Sequence, residues 1–112
     1  MAEVEILASL EEEINKTFKQ ESIQVLKHLQ SLETNPKKGK PLGRVGNIAI
    51  KELKYKGYRF YFITDAHKIQ FYKQQELADL LIRFVRMSNK KYQQETITEI
   101  KKILLSIGVS GL

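Results

Sequence analysis

Arg59 lies in the run Gly57-Tyr58-Arg59-Phe60-Tyr61-Phe62, with Lys54 five residues before it and Glu52 two before that. These are groups that can act on a phosphodiester. Cleaving RNA without a metal uses the 2′-hydroxyl as nucleophile on its own phosphate. The reaction needs a proton acceptor, cations for the extra charge on the phosphorane, and a proton donor for the leaving 5′-oxygen. Arg59 suits charge stabilisation because its planar fork matches phosphate geometry; the alternative is a structural salt bridge to Glu52. Lys54 is two positions from Glu52 and so shares its strand face. Crowded by other cations, Lys54 can titrate low enough to act as a base; otherwise it is a plain phosphate contact. Glu52 is either the base or an ion-pair partner. Tyr92 can stack on a base, donate a proton or simply pack. Arg59, Lys54, Lys90, Arg86 and Tyr92 form the catalytic candidate set, and Lys51, Lys56, Arg83 and Lys91 are the candidate RNA contacts.

Charge supports a polyanion as the target. The net charge is +6, and residues 35–59 hold eight Lys or Arg against one acid, Glu52. Residues 83–91 add Arg83, Arg86, Lys90 and Lys91, whereas residues 1–34 are acidic. Polarised charge of this kind fits a nucleic-acid face better than general solubility. The absence of cysteine excludes disulfides, thiolate zinc sites and thiol catalysis. His28 and His67 lack metal-ligand spacing, and Gly39, Gly43 and Gly46 read as turn glycines rather than a phosphate loop. No metal or cofactor is expected. No signal peptide or membrane span is expected either, because the N-terminal stretch is acidic and has no long apolar run.

The elements that must position these residues follow from hydrophobic periodicity. With 112 residues, one domain spanning residues 1–112 is expected. Residues 3–7 alternate as a strand. Ser9 and Glu12 make a capping box, followed by the stripes Leu10, Ile14, Phe18 and Val25, Leu26, Leu29, Leu32. The offset of the stripes predicts a helical hairpin breaking near residues 19–22. Pro36 ends the helix. Residues 48–55 and 58–64 form a β-hairpin about Lys56-Gly57. A shorter strand is predicted at residues 68–72 and an apolar one at 80–87. Ser88 or Asn89 caps a last helix with the stripe Ile97, Ile100, Leu104, Ile107, stopped by Gly108. The order is β-α-α-β-β-β-β-α, an α+β domain with the helices on one face of an antiparallel sheet. Strand parity places Tyr58, Phe60 and Phe62 on the helices and Arg59 on the open face. Parity also forbids Arg83 and Arg86, three apart, from sharing a strand face.

Together these segments resemble the RelE/ParE superfamily of type II toxin–antitoxin toxins. The resemblance covers nearly the whole chain. It rests on the element order, on Asn35-Pro36 followed by Gly39-Lys40-Pro41-Leu42, and on Lys51-Glu52-Leu53-Lys54. It continues through residues 57–62 and through Ser88-Asn89-Lys90-Lys91 opening the last helix. The resemblance implies a RelE-like fold and a cytoplasmic toxin neutralised by a cognate antitoxin. RelE-like members cut mRNA in the ribosomal A site, whereas ParE-like members act on DNA gyrase. Arg59 matches the arginine after Gly-Tyr on the central strand, Lys54 a basic position on the preceding strand, and Lys90 the basic residue opening the last helix. Glu52 stands where RelE itself is basic, and the C-terminal tyrosine of RelE falls at Thr96, with Tyr92 near but out of register. The expected function is a metal-independent, ribosome-dependent mRNA endonuclease. The alternatives are a ParE-like gyrase inhibitor and a non-toxic basic RNA-binding module.

Overall fold

The structure, a computed structural model, describes residues 1–107. Among these, five strands build one mixed sheet: β1 (Glu3–Ile6), β2 (Lys40–Val45), β3 (Ile48–Tyr55), β4 (Tyr58–Asp65) and β5 (Leu81–Asn89). Their spatial order is β1-β5-β4-β3-β2. The helices are α1 (Ala8–Phe18), α2 (Ser22–Gln30), α3 (Ala66–Phe71) and α4 (Gln93–Ile107). The chain is α+β, as its periodicity predicts, and the β3–β4 hairpin about Lys56-Gly57 falls where expected.

Four expectations are corrected. The sheet is not wholly antiparallel: β1 runs parallel to β5, Glu3 opposite Leu81 and Ile6 opposite Phe84. The chain leaves β1 through α1 and α2 and re-enters the sheet at its far edge, so β1 and β5 end side by side and co-directed.

The helices also divide between the two faces. Leu10, Ile14, Val25 and Leu29 of α1 and α2 bury Leu53, Phe60, Phe62 and Phe84. Ile97, Ile100 and Leu104 of α4 bury Ile50, Tyr61 and Ile63 on the opposite face. β4 is apolar on both faces, so both need a cover. The face expected to be open is therefore roofed by α4.

Residues 68–72 belong to α3 and its exit rather than to a strand. Asp65 caps this helix, its side chain accepting from the Lys68 backbone N–H at 2.9 Å and from Asn47 Nδ2 at 3.1 Å. A returning strand has no place beside β4, which β3 and β5 already flank. The fifth strand is instead β2, in the segment read as a Lys-rich turn. Gly46, at φ 58°, makes its turn into β3, pairing Val45 with Ile48. Gly39, at φ 110°, is required for a second reason: a Cβ there would meet Phe62 Cζ at 2.8 Å.

Smaller differences concern helix ends. α1 starts at Ala8 with no side-chain cap, so Ser9 sits in its first turn. The predicted break is a single 3₁₀ turn, Lys19–Glu21, with Lys19 at φ 53°. Ile107 is exposed rather than buried, and the expected stop at Gly108 lies outside the described residues.

Candidate active site

The β3–β4–β5 register builds the site. Lys54 pairs with Arg59, and Arg59 with Ser88, so the three form one row across the sheet. Glu52, Tyr61 and Arg86 form the next row. Directly opposed residues share a face, and Tyr61 fixes which one: it packs with α4. The rows lie at the sheet end beside the Lys56-Gly57 turn.

At the first turn of α4, Gln93 reaches down and donates Nε2 to Glu52 Oε2 at 3.0 Å. Arg59 Nε lies 3.8 Å from the same oxygen, beyond hydrogen-bond reach. Glu52 is 2% exposed. Glu52 Oε1 and Arg59 Nε are both buried without a hydrogen-bond partner among the described residues. So little of this carboxylate is exposed that, of its two readings, the structure favours the ion-pair partner. Tyr61 is fully buried, with its hydroxyl 2.8 Å from Ser88 Oγ. Burial pushes the Tyr61 hydroxyl pKa up; the Ser88 bond opposes this, and Glu52 adds to it.

Arg83 and Arg86 do share the α4 face, against the parity argument. β4 pairs Tyr61 with Arg86 but Phe62 with Phe84, leaving Val85 as an extra residue in β5. This β-bulge shifts the side-chain alternation by one, so residues three apart point the same way. Both arginines are engaged: Arg83 Nε lies 3.0 Å from Glu5 Oε2, and Arg86 Nε 2.8 Å from Glu99 Oε1.

The other candidates scatter. Lys51 lies on the opposite face, 4% exposed. Its Nζ donates to the Lys37 carbonyl at 3.0 Å and sits 5.8 Å from the centre of the Phe62 ring. Burial lowers its pKa, and the charge of Lys37 lowers it further. Lys56, at the hairpin tip, bridges to Glu21 at 2.6 Å, and Tyr55 Oη donates to the same carboxylate at 2.6 Å. Lys90, Lys91 and Tyr92 form an exposed 3₁₀ turn. Asn89, the predicted cap, accepts from the Tyr92 backbone N–H at 3.2 Å and pairs across the sheet with Tyr58. That pairing carries the turn to the edge of the Arg59 row. Tyr92 is 47% exposed, with Lys91 Nζ 5.4 Å from its ring centre. Thr96 donates to the Tyr92 carbonyl at 2.8 Å.

Register thus brings Arg59, Lys54 and Ser88 together and leads Lys90–Tyr92 alongside, while Lys51 and Lys56 serve other contacts. Gln93 escaped the sequence reading, since a polar residue in a first helical turn carries no signal of a partner 41 positions away. Among the described residues no group of three or more His, Asp or Glu is gathered as for a metal ion, and no helix is long and apolar enough to cross a membrane. Comparison with known protein families, curated proteins and solved structures finds no match.

Proposed function

We propose that this chain is a RelE-like toxin of a type II toxin–antitoxin pair, an endoribonuclease that cuts mRNA on the ribosome in the cytoplasm. The observation that carries the reading is the Lys54–Arg59–Ser88 row, which sets an exposed lysine beside an arginine whose side chain is 12% exposed at the end of the sheet. Arg59 takes the non-bridging oxygens of the scissile phosphate and stabilises the phosphorane. Lys54, acting as the neutral amine, takes the 2′-hydroxyl proton and becomes the ammonium. Lys90 protonates the leaving 5′-oxygen, and Tyr92 offers its exposed ring to a neighbouring base. Glu52, itself held by Gln93, positions Arg59 and touches no substrate. An antitoxin chain keeps the toxin silent by covering this face.

Primer extension on mRNA after induction tests the reading. Wild type should create new 5′ ends inside coding sequences. Arg59→Ala should lower their yield by about a hundredfold or more. Arg59→Lys keeps a cation beside buried Glu52, preserving the fold while removing the fork, and should lose most of the cutting too. Undiminished cutting by a folded Arg59→Lys protein would remove Arg59 from the chemistry.

A second reading, a ParE-like toxin that binds a protein target without cutting RNA, draws on one observation: Arg59 and Arg86 both face acids of the same chain. The two readings separate by which collapses first on expression, translation or DNA replication.

A further inference from the structure

A second basic feature begins where β2 leaves β3. Pairing between them starts at Lys40 opposite Glu52, so β3 beyond that point has no neighbour on this side. A groove of about 430 Å³ opens there, lined by His28, Lys38, Gly39, Lys40, Glu52, Leu53 and Lys54. His28 comes from α2 and hydrogen-bonds the Lys54 carbonyl through Nε2 at 3.0 Å, closing that edge of β3. Register puts Lys40 and Lys54 on the sheet face of Arg59. The groove therefore runs over the sheet edge, from the helical side to the Arg59 row.

The lysines here are held rather than merely present. Buried Lys51 fastens the preceding turn through the Lys37 carbonyl. Gly39 lies so close to Phe62 and to the Glu52 carbonyl that no side chain fits. Burying an ammonium costs several kcal/mol unless it is compensated. The fold spends that on fixing a turn that carries Lys37, Lys38 and Lys40, all exposed. The one acid of the lining, Glu52, is 2% exposed and faces Arg59, so the anchored row of cations matches the backbone of a single polynucleotide strand.

We infer that this groove is a second RNA subsite, which takes the phosphates flanking the scissile one as the strand crosses the β3 edge. The inference rests on the proposed RNA-cutting function, and assigns Lys38 and Lys40 to substrate and Lys51 to the scaffold.

Labelled oligouridylates of about four and about twelve nucleotides serve as probes, within the span of single-stranded sites. Affinity is measured against salt for wild type, Lys38→Gln/Lys40→Gln and Arg59→Lys. Both lysines are exposed, so the double variant should fold. Each lost phosphate contact removes about 0.7 from the log–log salt slope. The double variant should lose about 1.4 in slope and bind the longer probe about tenfold more weakly at physiological salt, with the shorter probe unaffected. Equal weakening of both probes would mean a diffuse charge effect, and overturns the subsite. Unchanged binding of the longer probe overturns it while leaving RNA as the substrate, provided Arg59→Lys still weakens binding. Failure of wild type to bind either probe overturns the subsite, while the proposed function stands or falls separately on the new 5′ ends read by primer extension.

Discussion

Glu52 is the residue on which the candidate site turns. A carboxylate 2% exposed has lost almost all its water, and what replaces it is incomplete: one bond from Gln93 and an arginine at 3.8 Å. Removing one member of a buried pair costs about 3–5 kcal/mol, because the other charge is left uncompensated. Glu52→Ala should therefore lower unfolding free energy by about 3 kcal/mol, read from urea denaturation. Arg59→Ala should also destabilise, by less, since Gln93 still serves Glu52. The double variant should cost clearly less than the sum of the single ones, a coupling of about 1–3 kcal/mol. Strict additivity would show that the two charges do not support each other, and would leave Arg59 without a positioning partner.

At the scale of elements, α3 shows what a cap decides. Asp65 holds the first turn by its bond from the Lys68 backbone N–H. Burial raises the Asp65 pKa, but this is outweighed by that bond together with Asn47, the Lys68 charge and His67, so the net shift is downward. A carboxyl lowered by folding contributes stability above its unfolded pKa and loses it as pH falls through the folded one. Asp65→Ala should cost about 1 kcal/mol at neutral pH, and the difference from wild type should shrink in acid below the ordinary aspartate range. Thermal melts at neutral and acid pH measure it; a penalty constant with pH would mean the charge plays no part. Much of the rest was legible. The β3–β4 hairpin, the break after Phe18 and the stripes of α1, α2 and α4 all follow from local periodicity. The same hairpin turn sets Lys54 opposite Arg59, a pairing that the register supplies. Local signals misled wherever a non-local fact governed. Residues 68–72 alternate like a strand, yet the sheet has no vacancy beside β4. β2 shows only Leu42 and Val45 as apolar signal among glycines and cations, and exists because β3 offers it an edge. The bulge at Val85 reversed the parity that separated Arg83 from Arg86, and Lys51, read as an RNA contact, is consumed by the turn it anchors.

For the whole molecule, one acidic cluster stands on the side of the sheet away from the basic row. Glu11, Glu12 and Glu13 are exposed on α1, which packs against the face of Phe60 and Phe62; Arg59 and Lys54 lie on the other. The molecule measures 37 × 31 × 21 Å. A sheet and a helix layer therefore separate the acids from the basic row by more than about 8 Å, the Debye length at physiological ionic strength, but by no more than about 30 Å, the length at 0.01 M. The acids should slow the approach of RNA in dilute buffer and be invisible to it in physiological salt. Glu12→Lys/Glu13→Lys raises the net charge from +6 by two per substitution without touching the proposed site. Its association rate with oligouridylate, followed by stopped flow, should exceed that of wild type several-fold at 0.01 M salt and match it at about 0.15 M. Dissociation should be unaltered at both, since no contact is gained. A rate advantage that persists at physiological salt, or a slower dissociation, would place the bound strand within reach of α1, and the RNA path along the β3 edge would have to be abandoned for one on the helical face.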